Sequence, residues 1–434
     1  MWISSMTSRL AAMLAMLALI VVACGGSTTP TGGTGTDGGS PSAPATDAPT
    51  DAEEPTDAEE PTDGGTGVSC EGAEENAFFD LEECEEQLRL RGVEAEGDPS
   101  MPWLQALEPT YVDTAEFASE EEGGSKICFS NAGVNNPWRV VGYETMQAEV
   151  DIQTEAGEIS EFVHVDAGGD DAKQIADIQQ LLTQDCDALI VSPNSTAALT
   201  PAVEQACEAE IPVIVFDRGV ETDCPVTFIK PIGGYAFGAD AAEFLADQIG
   251  PGSNVVALRI LPGVDVLETR FLAAQAIFSQ NDINILDAQF TEGDPSTTKT
   301  IISDILAAGD TIDGVWMDAG ATSVGAIEAF EDAGIPVPPI TGEDQQDFLR
   351  KWSDDGLTAA APTYPTYQWR TAILAAVMIL NGEEVPENWN LPQPFITEEN
   401  LEQYLQPDMP PLHYALCGCE NMPDFPERWQ NIGQ

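Results

Sequence analysis

Short apolar runs alternate with helical patterns along this chain from Lys126 onward. The runs are rich in Val, Ile and Phe, which is typical of strands buried on both faces of a parallel sheet. Between them, apolar residues recur at helical spacing, as over 171–183, 197–209 and 321–333. This alternation predicts an α/β fold with parallel sheets and right-handed crossovers. Strands are predicted at Ile127–Ser130, Glu161–Val165, Ala188–Ser192, Pro212–Phe216, Val226–Ile229, Asn254–Ile260, Ile283–Gln289, Gly314–Met317 and Pro339–Thr341.

Polar side chains follow several of these strands at the point where each ends. The run IPVIVFDR ends in Asp217 and Arg218. Because the carboxyl ends of parallel strands share one edge, such groups are expected to converge on a crevice. A carboxylate beside a guanidinium suits a polyhydroxylated molecule, although a structural ion pair at the strand end explains these two residues equally well. The other strands lead to Asn131, Asn136, Trp138 and Arg139, to Asn194, to Asp318, and to Glu343 and Asp344.

The N-terminus resembles a bacterial lipoprotein signal. Arg9 precedes the apolar run Leu10–Ala23, which is too short to span a bilayer comfortably, and Cys24 follows small residues. The resemblance implies that residues 1–23 form a signal peptide and that a lipid on Cys24 anchors an extracytoplasmic protein to the cell membrane. An ordinary secretory signal with an incidental cysteine is the alternative.

Two acidic segments precede the strand–helix alternation. Residues 24–68 are mostly Thr, Gly, Pro, Ser, Ala, Asp and Glu, so they predict a disordered, self-repelling tether. Residues 69–124 form an acidic N-terminal extension of unassigned role, with a short amphipathic helix expected in FFDLEECEEQLRLRG. No later segment is apolar and long enough to predict a transmembrane helix.

The charge balance narrows the classes of partner. The formal net charge is −60, from 15 basic and 75 acidic residues. Nucleic acid and anionic membrane surfaces are therefore excluded as partners, which leaves the lipid as the only expected contact with the membrane.

The cysteines are expected to form disulfides. Nine are present, and lipidation of Cys24 leaves an even number in an oxidising compartment. Candidate local bridges join Cys70 with Cys84 and Cys207 with Cys224, while Cys417 and Cys419 pair with each other or with other cysteines.

Motifs of enzyme, metal and cofactor sites are missing from the sequence. There is no G-x-S-x-G, no Ser/His/Asp set, no P-loop and no C-x-x-C, and the two histidines are His164 and His413. His164 lies in a strand-like VHV run and is expected to be structural. We therefore expect neither catalysis nor a cofactor nor a metal.

From about Lys126 to about Pro392, the chain resembles the sugar-binding proteins of ribose- and galactose-type ABC importers, the type I periplasmic binding proteins. The similarity is carried by ICFSNAGVNNPWR, DAKQIADIQQLLTQDCDALIVSPN, AVEQACEAEIPVIVFDR, DGVWMDAGATSVGAIEAFEDAG and ITGEDQQDF. In combination these motifs are specific, whereas each alone is weak.

The resemblance implies two αβα lobes around a ligand cleft. Lobe 1 would comprise 125–232 and 364–390, and lobe 2 would comprise 233–363, with the C-terminal tail 391–434 returning to lobe 2. The hinge crossings would fall near Ile232-Gly233-Gly234, Thr363-Tyr364 and Asn390–Pro392. Glycines at the first crossing can absorb the dihedral changes of a hinge.

The resemblance also implies site residues. By position, ligand residues of the family match Asn136, Trp138, Arg139, Asp217, Arg218 and Asp344. Trp138 would stack on the apolar face of a sugar ring, with a core position as the alternative. A simple turn residue at Asn136 and a surface arginine at position 139 are the corresponding alternatives.

The predicted lobe 2 wall departs from the family pattern. Glu268 replaces one family arginine, so only Arg270 remains, either as a ligand residue or as a structural one. Ala319 stands where the family has an asparagine, which makes the neighbouring Asp318 a candidate. At the second crossing Tyr364 is a further candidate. The identity of the sugar therefore stays open.

The function implied by the resemblance is capture of a monosaccharide or related polyol by lobe closure. A monomeric protein would then deliver the sugar to an ABC permease and its ATPase. A sugar-sensing lipoprotein that presents its ligand to a membrane receptor or kinase is the alternative.

Overall fold

The fold is known from a computed structural model that describes residue 70 and residues 76–119, 123–319 and 322–432. The predicted signal peptide, Cys24 and the tether lie outside the described residues. Within the described ranges, none of the helices combines the length and the apolar character needed to cross a membrane.

The elements follow one another in a regular alternation of strands and helices. The strands are β1 (Tyr111–Val112), β2 (Ser125–Asn131), β3 (Ile159–Asp166), β4 (Ala188–Ser192), β5 (Val213–Phe216), β6 (Thr227–Pro231), β7 (Asn254–Arg259), β8 (Asn284–Phe290), β9 (Gly314–Met317), β10 (Ile340–Thr341), β11 (Ala359–Pro362), β12 (Val385–Pro386), β13 (Asn388–Leu391) and β14 (Phe395–Ile396). The α-helices are α1 (Leu81–Leu90), α2 (Pro137–Ala156), α3 (Asp171–Leu181), α4 (Thr196–Glu208), α5 (Gly234–Ile249), α6 (Asp265–Gln280), α7 (Pro295–Ala308), α8 (Ser323–Ala333), α9 (Gln346–Asp355) and α10 (Gln368–Leu380).

Lobe 1 is built on a six-stranded parallel sheet in the order β13-β6-β5-β4-β2-β3. Strands β4 and β5 are buried along their whole length, which explains their uninterrupted apolar sequences. Helices α2 and α10 contribute to the core on one face, and α3 and α4 contribute to the core on the other.

Lobe 2 repeats this architecture in the order β14-β11-β10-β9-β7-β8. All neighbours are parallel except β14, which runs antiparallel to β11. Helices α5 and α6 cover one face, and α7, α8 and α9 lie on the other. The structure thus confirms the predicted fold class of two α/β lobes.

The chain passes between the sheets at three places, after β6, after β11 and after β13. Gly233 has a φ of +133° at the first passage, a backbone conformation that favours glycine. Its neighbour Gly234 leaves no room for a side chain, since an added Cβ would lie 1.9 Å from the Thr269 Oγ1 atom. Position 233 therefore favours glycine because of its backbone conformation, and position 234 requires glycine because of close packing.

The N-terminal extension contacts both lobes. Glu83 of α1 lies 2.6 Å from Lys230 at the end of β6 in lobe 1. Directly after the same helix, Arg91 lies 2.8 Å from Asp240 and 2.7 Å from Glu243 of α5 in lobe 2. Further along, β1 pairs antiparallel with β12.

The C-terminal tail also contacts both lobes. Leu401 and Ala415 are buried in the lobe 2 core, in the direction that the family resemblance implies. The later Met422 and Trp429 are buried instead in the lobe 1 core, which the sequence did not predict.

Four disulfides lie within the described residues. Cys128–Cys186 was not among the predicted bridges, because its partners lie 58 residues apart and no local spacing indicates them. The pairs are Cys70–Cys84, Cys128–Cys186, Cys207–Cys224 and Cys417–Cys419.

Candidate functional site

A cavity of about 500 Å³ lies between the two lobes, at the carboxyl ends of their strands. Among its polar and aromatic lining residues are Asn136, Trp138, Arg139, Asn194, Asp217 and Arg218 from lobe 1, Arg270 and Glu343 from lobe 2, Tyr364 from the second passage, and Tyr414 from the tail. All the predicted ligand residues line it except Asp318 and Asp344.

A buried ion pair forms the centre of the lobe 1 wall. The Arg139 Nη2 atom lies 2.5 Å from the Asp217 Oδ2 atom, and the two residues are only 2% and 6% exposed. The same guanidinium donates to Asn131 Oδ1 and Ser192 Oγ, both at 3.2 Å. Burial lowers the pKa of Arg139 to about 10, against the opposing effect of Asp217. The alternative of a surface arginine at position 139 is therefore wrong.

Arg218 has a different partner from the one that its position suggests. Its Nη1 atom donates to the carbonyl of Asn194 at 2.6 Å, while its Nε atom lies 4.0 Å from the Asp217 carboxylate. Asp217 itself has a φ of +71°, an uncommon conformation for a residue with a side chain. The tight pair thus joins Asp217 to Arg139 rather than to its neighbour in sequence.

The first turn of α2 brings three site residues together. The Asn136 carboxamide oxygen caps the helix by accepting from the Arg139 backbone N–H at 2.9 Å. Asn136 therefore has a local structural role, as the turn alternative expected, in addition to lining the cavity. Trp138 donates its Nε1–H to the Tyr364 carbonyl at 2.7 Å, and its ring centroid lies 5.6 Å from that of Trp369. Trp138 therefore belongs to the lobe 1 core and lines the cavity at the same time.

Tyr364 links the two walls. Its hydroxyl donates to the Asp217 carbonyl at 3.2 Å, and its ring centroid lies 5.5 Å from that of Trp138. On the lobe 2 side, the Arg270 guanidinium lies 4.5 Å from the same ring centroid. An aromatic residue at the second passage is thus in contact with the central charged group of each lobe.

A second buried ion pair lies in the lobe 2 wall. The Arg270 Nη1 atom lies 3.1 Å from Glu343 Oε1 and also donates to the Asp318 carbonyl. The other oxygen of Glu343 accepts from the Tyr414 hydroxyl at 3.2 Å. Arg270, Glu343 and Tyr414 are each under 4% exposed, so these contacts take place out of water.

Asp318 and Asp344 are occupied by backbone amides. Both Asp318 carboxylate oxygens accept from the Ile260 N–H, at 2.9 and 3.1 Å. Asp344 accepts from the Tyr364 N–H at 3.3 Å and from the Leu416 N–H at 2.9 Å. In this arrangement Asp344 joins the second passage to the tail, and neither carboxylate reaches the cavity.

The periplasmic binding protein domain family matches residues 127–384, more than half of the chain. This chain is a type I periplasmic binding protein of the ribose and galactose type. The family consists of binding proteins rather than enzymes.

Relatives and solved structures agree with this membership. The chain is 27% identical over 301 residues to the ribose import binding protein RbsB of Bacillus subtilis, covering 68% of this chain and 96% of that protein. It is 26% identical over 246 residues to a xylitol-binding protein of Mycolicibacterium smegmatis, covering 56% and 70%. The crystal structure of an ABC transporter solute binding protein from Thermobispora bispora superposes with a TM-score of 0.62 at 25% identity, covering 67% and 90%.

Asn194, Glu343 and Tyr414 line the cavity of this periplasmic binding protein but were not among the predicted ligand residues. Asn194 and Glu343 follow predicted strands, so the strand-end pattern that selected Asp217 also marks them. Tyr414 lies in the tail, where no strand or helix pattern leads to it. Nothing in the local sequence could have indicated its position in the cavity.

The structure brings His413 together with Cys417 and Cys419, all buried. The two sulfur atoms are bonded to each other, so they offer no thiolates to a metal in this form. Burial lowers the pKa of His413 to about 4. The histidine is therefore a neutral group at physiological pH.

We expect the Arg139–Asp217 pair to govern the stability of lobe 1. Asp217→Ala should lower the free energy of unfolding by about 3–5 kcal/mol, because it leaves a buried guanidinium without its partner. Adding Arg139→Met should recover most of the loss. Urea denaturation followed by circular dichroism measures both effects.

Asp332→Ala is the matched control for this experiment. Asp332 pairs with Lys299 at 2.8 Å, but the two side chains are 69% and 35% exposed. Its removal should change the unfolding free energy by less than about 1 kcal/mol. A loss for Asp217→Ala as small as that of the control would contradict the importance of the buried pair.

The buried carboxylates of lobe 2 predict that stability falls as pH rises. Burial raises the pKa of Asp318 and Glu343 to about 7 and that of Asp344 to about 6. Unfolded carboxyls titrate near about 4, so their stabilising contribution is complete below that pH and is lost as pH rises through about 7. The unfolding midpoint in urea should therefore be higher at pH 5 than at pH 8.

Glu343→Gln is the control for the pH experiment. The variant removes one of the titrating groups, so its midpoint should change less between the two pH values than that of the wild type. Equal pH dependence in both proteins would show that Glu343 does not contribute.

Proposed function

We propose that this protein is an extracytoplasmic solute-binding lipoprotein that captures a neutral monosaccharide or related polyol and delivers it to an ABC importer. The observation that carries the proposal is the cavity between the lobes. Its two walls present hydrogen-bonding side chains and aromatic rings at the carboxyl ends of parallel strands. Sites for small molecules in α/β proteins lie at this edge.

The charges of the cavity favour a neutral ligand. Its two most deeply buried arginines, Arg139 and Arg270, are each paired with a carboxylate of the same lobe. A ligand is therefore not needed to neutralise either guanidinium, yet both pairs keep unused donors or acceptors for hydroxyl groups. The names of the similar proteins, which refer to ribose and xylitol, support this ligand class.

Lobe closure is supported by a contact between the lobes, made by residues that adjoin the cavity lining. The Gly219 N–H of lobe 1 donates to the Asp265 Oδ2 atom of lobe 2 at 3.0 Å. A ligand that bonds to both walls would add to this contact. Binding then shifts the population toward the closed form, which is the form that a permease would recognise.

Membrane attachment is proposed from the sequence alone. A lipid on Cys24 and the acidic tether 24–68 would hold the lobes near the permease while leaving them free to turn. Cleavage and lipidation are the processes that the N-terminal signal indicates.

The ligand class predicts the result of a thermal-shift screen. D-ribose, D-galactose, D-fructose and xylitol supply the neutral set, and ribose 5-phosphate and gluconate are charged controls. At least one neutral compound should raise the melting temperature, because a ligand that binds only the folded state stabilises it. A shift produced by the charged compounds alone would refute the neutral class.

Uptake distinguishes import from sensing. Deletion of the gene should abolish accumulation of the radiolabelled compound that gave the largest shift. Normal accumulation together with a lost transcriptional response to the compound would instead indicate a sensor.

The lipid anchor predicts Cys24-dependent labelling. Cells that express the full chain should incorporate radiolabelled palmitate into it, and Cys24→Ser should abolish the incorporation. Cys70→Ser is the matched control and should keep the label, since its sulfur pairs with Cys84. Label retained in Cys24→Ser would refute lipidation at this residue.

A further inference from the structure

The C-terminal tail supplies part of the cavity wall. Tyr414 lies beyond residues 127–384, which match the family, yet it lines the cavity between the lobes. The side chain is held in place, since the residue is 2% exposed and its hydroxyl donates to Glu343 Oε2 at 3.2 Å. The backbone beside it is also fixed, because the Ala415 N–H donates to the Asp344 carbonyl at 2.9 Å.

The tyrosine is needed because other lobe 2 positions offer little. Ala319 lines the cavity with a methyl group, and the carboxylates of Asp318 and Asp344 are engaged by backbone amides. Among the described residues, the deeply buried ionisable groups that line the cavity from this side are Arg270, Glu343 and Tyr414. Thr322 also lines the cavity from lobe 2, but its hydroxyl is engaged by the Met317 sulfur and the Ala319 carbonyl. Recognition by buried groups of lobe 2 therefore falls mainly to this trio.

Within the trio, Glu343 and Tyr414 present hydrogen-bond acceptors, whereas Arg270 presents only donors. Each Glu343 oxygen receives one bond, from Arg270 or from Tyr414, although a carboxylate oxygen can accept two. The Tyr414 hydroxyl donates its hydrogen bond to Glu343, so its oxygen is left as an acceptor. Groups of a ligand that donate hydrogen bonds, such as hydroxyls, complement this surface.

We propose that Glu343 and Tyr414 form a recognition pair that selects sugars or polyols carrying a donating hydroxyl group toward lobe 2. The inference rests on the proposed function, since it assumes that the cavity holds such a molecule. A compound without that hydroxyl leaves the buried acceptors unsatisfied, and the cost of an unsatisfied buried group provides the discrimination.

Isothermal titration of Tyr414→Phe at pH 8 tests the pair, because the Glu343 carboxyl, whose pKa burial raises to about 7, is mostly ionised there. The probe is the compound among D-ribose, D-galactose, D-fructose and xylitol that binds the wild type most tightly, and it is compared with its monodeoxy analogues. Tyr414→Phe should weaken binding of the parent compound about tenfold. The loss should vanish for one deoxy analogue, because the variant and that analogue remove the same interaction.

Two further variants keep the test decisive. Tyr404→Phe makes the same change in the same tail but outside the cavity, and should bind like the wild type. Glu343→Gln removes the charge without changing the shape, so it should weaken the parent compound and lose discrimination against the same analogue. It serves as the test if Tyr414→Phe does not fold, as judged by its melting temperature.

The possible results distinguish failure of the recognition pair from failure of the proposed sugar capture. Wild-type affinity in both site variants would overturn the recognition pair while leaving sugar capture intact. An equal loss for the parent and every deoxy analogue would also overturn it, because that result indicates a purely structural role. A wild type that binds none of the neutral compounds would overturn both proposals.

Discussion

The arrangement of the cavity follows from one constraint, that a charge removed from water must meet its partner. Arg139 lies in the first turn of α2 and Asp217 directly follows β5, and the 2.5 Å contact between their side chains fixes the two elements against each other. Asn131 and Ser192, at the ends of β2 and β4, add hydrogen bonds to the same group. The ends of α2, β2, β4 and β5 thereby meet at the Arg139 guanidinium.

The same solution appears in lobe 2, where Arg270 pairs with Glu343. Because each lobe neutralises its own arginine, closure does not press unpaired like charges together. Tyr364 lies between the two pairs, with its hydroxyl on Asp217 and its ring beneath Arg270. The most deeply buried arginine of each wall is thus paired with a carboxylate of its own lobe, an arrangement that suits a neutral, hydroxyl-bearing molecule.

The sequence predicted what depends on local pattern. The nine expected strands each overlap an observed one, because buried runs followed by polar residues have a clear signal. Strands β11 and β14 were not predicted, because β11 consists of Ala and Pro and β14 has only two residues. Asp217 was recognised as a strand-end carboxylate, but its partner is 78 residues away and could not be identified from spacing.

Asp344 shows the limit of transferring a role by position. The residue stands where the family has a ligand carboxylate, but here its oxygens bind the backbone of Tyr364 and of Leu416, 72 residues further along the chain. The tail that occupies it also delivers Tyr414 to the cavity. Residues outside the matched region therefore help to decide which lobe 2 groups line the cavity.

The N-terminal extension imposes a similar non-local constraint on the hinge. Gln87 of α1 accepts from the Tyr235 N–H at 2.8 Å and fills the space beside Gly233, where an added Cβ would lie 2.3 Å from its Nε2 atom. The same helix binds Lys230 on the other side of that glycine. A rotation about Gly233 would therefore move α1 with one lobe and strain its bonds to the other, so the proposed closure would also involve contacts that lie wholly outside the cavity.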